Sequence, residues 1–256
     1  MSATPLFKVR HQGGSGPQVL LLHGFGSDAL SWGGNLPALL PLASVHTVEL
    51  PAHGSNPSLK VDLGLEEFAL QLRQDLLASG VGPAHFVGHS LGAAFAIALA
   101  ATVPEAVRSL SLIAPLGLGH GVDHLFLHAL LGAHSAEEGH AVLQRLFVRQ
   151  QLASLAFGQR LVDHLNKTGI RAALRALSHL MQHWEGAALP ALCERVPASI
   201  PRLVIWGADD HINAMDTAKV SAFTHNVLVQ HQAGHMPHVE KALVVNKALA
   251  SLIQGE

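Results

Sequence analysis

The sequence predicts an α/β chain: a doubly wound, mostly parallel sheet with a helical cap inserted into it. Three observations carry this. Short apolar runs recur at 18–22, 45–50, 84–88, 108–113, 202–206 and 226–230, and most do not alternate, as expected of strands covered on both faces. Helical patterns stand between them. The strand rhythm then stops over residues 115–197, where helical patterns alone continue.

Each element follows from a local pattern. Leu6-Phe7-Lys8-Val9 reads as a first strand, broken by Gly13-Gly14-Ser15-Gly16-Pro17. Val19-Leu20-Leu21-Leu22 is the second and ends in the loop His23-Gly24-Phe25-Gly26. The strand over 44–50 leads to Pro51-Ala52-His53-Gly54-Ser55, where His53 is expected to shape a turn rather than serve as a general base. A helix is predicted over 65–79, because Leu65, Phe68, Leu72 and Leu76 fall on one face and Glu66 and Glu67 favour its N-terminal end. Pro83-Ala84-His85-Phe86-Val87 closes a strand, and residues 91–102 form the helix after it. Two later helices are predicted over 214–224 and 238–253.

The interruption sets the domain organisation: core over 1–116, helical cap over 117–197, core again over 198–256. Gly117, Gly119 and Gly121 open a flexible passage, and helical patterns follow near 122–133, 137–152, 156–167 and 169–184. In the last, Ile170, Leu174, Leu177, Met181 and Trp184 share a face. The insertion ends before the strand at 202–206, which places it over the carboxyl ends of the strands. Its apolar content, Leu125, Phe126, Leu130 and Leu131 among others, suggests a hydrophobic acyl pocket.

Between the strand at 84–88 and its helix stands Gly88-His89-Ser90-Leu91-Gly92. A serine on such a turn is held on a sharp elbow, and the flanking glycines remove side chains that would collide there. Serine becomes a useful nucleophile only when an imidazole takes its proton. The expected order after such an elbow is acid, then histidine. Trp206-Gly207-Ala208-Asp209-Asp210 and Gln230-His231-Gln232-Ala233-Gly234-His235 follow in that order, each after a strand. Asp210 is preferred to Asp209 because it stands three residues past Gly207, which leaves the chain room to curl toward the histidine. Ser90, Asp210 and His235 are therefore the candidate catalytic set. The backbone N–H groups of Phe25 and of Leu91 are the candidate donors to a developing oxyanion.

Composition narrows the classes. At 256 residues and 49% hydrophobic residues, the chain fits one large domain with a substantial core. Sixteen basic against eighteen acidic residues, without a basic tract, give no case for nucleic acid. The apolar run after Ser90 is stopped by Thr102 and Pro104, too short to span a bilayer, and residues 1–12 lack a leader pattern. A cytoplasmic protein acting on a small molecule is expected. Cys193, the only cysteine, can form no internal disulfide. No nucleotide fingerprint or phosphate loop occurs, so no cofactor is expected. Nineteen histidines include the spacings His120, His124, His128 and His179, His183, but no metalloprotease pattern, so no metal is expected either. Nothing in the sequence specifies an oligomeric state.

Taken together, His23-Gly24-Phe25-Gly26, Gly88-His89-Ser90-Leu91-Gly92, Trp206-Gly207-Ala208-Asp209-Asp210 and Gly234-His235 resemble the α/β-hydrolase superfamily over nearly the whole chain. The resemblance implies that fold, Ser90, Asp210 and His235 as the triad, and Phe25 and Leu91 as oxyanion donors. A narrower likeness rests on Leu22-His23-Gly24-Phe25-Gly26-Ser27-Asp28 with Trp32, on Leu112-Ile113-Ala114-Pro115-Leu116-Gly117-Leu118-Gly119, and on Gly234-His235-Met236-Pro237-His238-Val239-Glu240-Lys241. These are similar to the hydrolase-like C-terminal domain of acetoin dehydrogenase acetyltransferase (E2) subunits. Such proteins usually carry an N-terminal lipoyl domain, whereas this sequence starts almost directly on its first strand, so the likeness implies the hydrolase-like domain without it.

The expected activity is that of a carboxylesterase-like serine hydrolase: cleavage of a small or medium carboxylic ester through an acyl-enzyme. Two alternatives share the triad. One is hydrolysis of the C–C bond of a vinylogous diketone from ring fission, for which Arg171 or Arg175 could bind the carboxylate. The other is acyl transfer of the E2-like type. Haloalkane dehalogenases and epoxide hydrolases of the superfamily place an aspartate at the elbow, and Ser90 argues against both. A non-catalytic binding protein on the same fold is the opposing class.

Overall fold

A computed structural model describes residues 5–54, 59 and 63–255. Ser55 of the turn after the third strand, and residues 1–4 of the N-terminal stretch read for a leader, lie outside the described residues. The strands are β1 (Lys8–Gly13), β2 (Gln18–Leu22), β3 (Ser44–Glu49), β4 (Ala84–His89), β5 (Val107–Ile113), β6 (Arg202–Gly207) and β7 (Val227–Gln230). They pair in the order β1-β3-β2-β4-β5-β6-β7, with β1 antiparallel to β3 and all other neighbours parallel. The helices are α1 (Leu36–Leu39), α2 (Leu65–Ala78), α3 (Leu91–Thr102), α4 (His124–Gly132), α5 (Ala136–Gln144), α6 (Leu155–Leu165), α7 (Ile170–His183), α8 (Leu189–Arg195), α9 (Thr217–Phe223), α10 (Pro237–Glu240) and α11 (Ala242–Gln254). Five of them, α4 to α8, lie between β5 and β6.

Successive strand residues point to opposite faces, and both faces are dry. In β2, Val19 and Leu21 join Trp32, Ile205, Val245 and Leu249 on one side. Leu20 and Leu22 join Phe68, Phe86, Phe95 and Trp206 on the other. This is why the strands read as unalternating runs. Each side chain of this kind contributes about 1.5–3 kcal/mol when fully buried. Trp184 packs edge-on against Phe68 and Phe95, which seats the α7–α8 end of the inserted helices on α2 and α3. Cys193 lies in α8, and burial raises its thiol pKa to about 12.

The structure corrects several expected boundaries. Leu6 and Phe7 precede the first strand, because their N–H groups donate to the buried carboxylate of Asp75 on α2 instead of to the sheet. The helix expected over 137–152 ends at Gln144, where the chain turns and Leu146 offers its carbonyl to the N–H of His235. The helix expected over 238–253 is two helices broken at Lys241. The carbonyl of Glu240 is taken there by the Arg149 guanidinium. Asp216 caps α9 by accepting from the N–H groups of Ala218 and Lys219, so that helix starts at Thr217 rather than 214.

Candidate active site

Ser90 follows β4 at the centre of the sheet and precedes α3. Its backbone is held at φ 52°, ψ −112°, a strained region for a residue with a side chain. The strain is clamped in place: Ser90 N–H donates to the Ile113 carbonyl, and the Ser90 carbonyl accepts from Ala93 and Leu116. The two elbow glycines are sterically required. A Cβ on Gly88 would lie 2.6 Å from the Ala93 Cα, and one on Gly92 would lie 2.3 Å from the Leu22 carbonyl oxygen. The Ser90 side chain makes no capping hydrogen bond to α3 and faces a cavity.

Asp210 follows β6 and His235 follows β7. The His235 Nδ1 lies 2.8 Å from Asp210 Oδ2. The same Oδ2 accepts from Trp206 Nε1 at 3.1 Å, and Oδ1 accepts from the N–H groups of Ile212 and Asn213, each at 2.9 Å. Four donors thus hold a carboxylate that is 4% exposed, which fixes its plane and offsets the cost of its burial. Asp209 is exposed and accepts the Gln232 N–H instead. The structure therefore places Asp210, and not Asp209, against the histidine. With Nδ1–H donated to Asp210, Nε2 of His235 is the nitrogen left to accept a proton. His235, like Ser90, lines the cavity.

Phe25 stands in the loop after β2 and lines the cavity; Leu91 opens α3. Among the described residues neither N–H has an acceptor. The loop of Phe25 is held by a histidine that the sequence reading assigned only to a turn. His53 donates Nδ1–H to the Pro51 carbonyl and accepts the Gly26 N–H at Nε2 over 2.8 Å. Its ring lies edge-on to those of His23 and Phe25. Desolvation, with His23 nearby, keeps His53 neutral well below the usual histidine range, so Nε2 remains an acceptor. The signal available in the sequence was a histidine just past β3, at the same sheet edge as the loop after β2. His89 donates Nε2–H to the His235 carbonyl and touches the rings of His235 and His238. A Cβ on Gly24 would lie 2.7 Å from His89 Nδ1, so the loop glycine lets this ring in.

The cavity has a volume of about 490 Å³. Phe126, Leu127, Leu130, Leu143, Leu146 and Met181 from the inserted segment make its apolar wall. Arg160 also lines it, but pairs with Asp28 at 2.8 Å and is half exposed. Arg171 donates to the carbonyls of Leu131 and Ala133, closing the end of α4, and Arg175 is exposed. His120 lies 3.6 Å from Asp216, and His179 and His183 are exposed on α7. Among the described residues no three His, Cys, Asp or Glu side chains converge to hold a metal, and no helix is long and apolar enough to cross a membrane.

Comparison with known proteins agrees with this architecture. Residues 19–248 match the Alpha/beta hydrolase family. The chain is 31% identical, over 97% of its length and 67% of the relative's, to the dihydrolipoyllysine-residue acetyltransferase component of the acetoin cleaving system of Cupriavidus necator. It is 41% identical over 100 residues, 39% of this chain and 37% of the relative, to the pimeloyl-[acyl-carrier protein] methyl ester esterase of Methylococcus capsulatus. A meta-cleavage product hydrolase from Pseudomonas fluorescens superposes with a TM-score of 0.85 over 97% of this chain and 94% of that one, at 20% identity.

Proposed function

The chain belongs to the alpha/beta hydrolase family, and from that premise we propose that this hydrolase cleaves a small or medium carboxylic ester by acyl-enzyme chemistry at Ser90. The observation that carries the reading is the shared cavity: Ser90 and His235 both open onto it, with Asp210 bonded behind His235. Ser90 Oγ attacks the ester carbonyl while His235 Nε2 takes its proton. The N–H groups of Phe25 and Leu91 receive the negative charge of the tetrahedral intermediate. The intermediate collapses, the C–O bond breaks, and the imidazolium returns its proton to the departing alcohol. Water then repeats the sequence on the acyl-enzyme and releases the acid. Asp210 keeps Nδ1 protonated throughout and stabilises the imidazolium.

The inserted helices act as a cap in this reading, and their leucines and phenylalanines receive the acyl chain. An ester is favoured over a carboxylate-bearing diketone because, among the described residues, the arginine that lines the cavity is the half-exposed Arg160. Arg160 is engaged by Asp28 at the exposed side, Arg171 donates to the carbonyls of Leu131 and Ala133, and Arg175 is exposed. The test is covalent and kinetic together. A small fluorophosphonate should add one label, on Ser90, that S90A abolishes. A panel of p-nitrophenyl esters should show an optimum at short or medium acyl length beside negligible turnover of a ring-fission product. The reverse ranking, or an acyl-enzyme that breaks down only when a thiol acceptor is present, would replace the esterase by a C–C hydrolase or an acyltransferase.

A further inference from the structure

Glu240 is 5% exposed, yet its carboxylate is bonded from two separate parts of the chain. Oε2 accepts the Gly234 N–H at 2.6 Å, one residue before His235. Oε1 accepts the N–H of Arg149 at 2.9 Å, in the stretch between α5 and α6. The Arg149 guanidinium returns to the Glu240 carbonyl. Alongside, His235 N–H donates to the Leu146 carbonyl at 2.9 Å. The two backbones meet so closely that a Cβ on Gly234 would lie 2.7 Å from the Leu146 oxygen. A buried carboxylate is costly unless its donors are well placed. Here two of them are backbone N–H groups of the histidine loop and of the inserted segment. Leu146 and Phe147 line the cavity, so a molecule long enough to reach them touches the same stretch that holds the histidine.

We propose that Glu240 is a positioning residue that fastens the His235 loop to the 146–149 stretch of the inserted helices, so that the general base is in register with Ser90 only while that segment is seated. The inference rests on His235 acting as the base. It extends that reading by giving the insertion a part in assembling the site, beside its part as a wall. A substrate too short to reach Leu146 and Phe147 then forgoes some of the order it would otherwise impose on His235.

The experiment uses the full chain and the variants Glu240→Ala, Glu240→Gln and Arg149→Ala. Backbone hydrogen–deuterium exchange over 145–150 and 233–236 is followed without substrate, and kcat and KM are measured on one p-nitrophenyl ester. In Glu240→Ala both segments should exchange faster together, and kcat should fall about ten- to a hundredfold with KM within about twofold, the loss expected of a misplaced base. Glu240→Gln keeps one acceptor oxygen and should fall between. Arg149→Ala keeps the Arg149 N–H that Glu240 accepts and removes only the guanidinium, so it should loosen both segments to a smaller degree. Exchange that rises in one segment alone, or an unchanged kcat in a folded Glu240→Ala protein, would overturn the proposal. Failure of wild-type Ser90 to be labelled would instead overturn the serine-hydrolase reading, and the exchange measurement, which needs no turnover, judges the clamp separately.

Discussion

The Gly26 N–H donates to His53 Nε2 over 2.8 Å, linking the loop after β2 to the turn after β3. Phe25 and its N–H stand between this anchor and the His23–Gly24 end of the loop, where His23 is itself bonded to Gly24 and to the Leu50 N–H. The loop that carries the candidate oxyanion donor is thus held by buried imidazoles, one of which also meets the Phe25 ring.

Removing that anchor should damage transition-state binding more than substrate binding. Loss of one oxyanion donor costs about 10²–10³-fold in kcat, and His53→Ala should approach the lower value with little change in KM. His53→Gln can offer Oε1 to the Gly26 N–H and should recover part of the rate. Equal losses in both variants would mean that His53 serves packing alone. Steady-state kinetics on p-nitrophenyl acetate gives the answer.

Asp210→Asn should lose about 10⁴-fold in kcat, because the amide cannot hold His235 in the working tautomer. Asp209→Asn should be close to wild type, since Asp209 is exposed and bonded to Gln232. Measuring both variants on one ester decides the assignment, and the opposite ranking would transfer the role to Asp209.

Leu130 packs against Gly26, where an added Cβ would lie 2.9 Å from Leu130 Cδ1, and it lines the cavity. Leu130→Ala should move the preferred acyl chain to a longer one in the ester panel. It should also destabilise the fold by about 2–5 kcal/mol, the usual cost of emptying a buried leucine site. An unchanged optimum would place the acyl chain elsewhere in the cavity.

Acid should destabilise the protein steeply. His23, His53, His89 and His238 are buried, and desolvation lowers all four pKa values, that of His238 to about 3. At His238 the unfolded chain binds a proton as pH falls through 6.5, whereas the folded chain does so only at about 3. Protonation therefore favours unfolding below that pH, His238 removing on the order of 1 kcal/mol per pH unit and the other three acting in the same direction. His238 lies between the rings of Trp32 and His89, at 4.7 Å from each, so His238→Phe preserves the shape. Urea unfolding at several pH values below 6.5 should show a shallower loss in that variant by about one site's worth. An identical slope would remove His238 from the account.

Much of the fold was legible because its causes are local. The central strands β2 to β6 are buried on both faces, so apolar runs mark them without knowledge of partners. Gly88 and Gly92 announce the elbow because any side chain there meets backbone. The pairing of Asp210 with His235 was reachable by counting residues past Gly207. What escaped depends on contacts between distant segments. Nothing near Gln144 predicts that α5 must stop so that Leu146 can meet His235, and nothing near Lys241 predicts that an arginine from 91 residues earlier takes the Glu240 carbonyl. His53 shapes its turn as expected, and only its second role escaped, for the same reason: its Pro51 bond is local, but its bond to Gly26 is not.

Burial raises the thiol of Cys193 to about 12, which keeps it almost wholly protonated at neutral pH and should slow its reaction with maleimides, since the thiolate is the reactive form. It is the chain's only cysteine. The sequence should therefore serve as a low background for site-directed labelling. One cysteine introduced at Phe157, half exposed on α6 and lining the cavity, would carry a single dye or spin label without removing any native residue but that one. Opening and closing of the cavity could then be timed directly in solution.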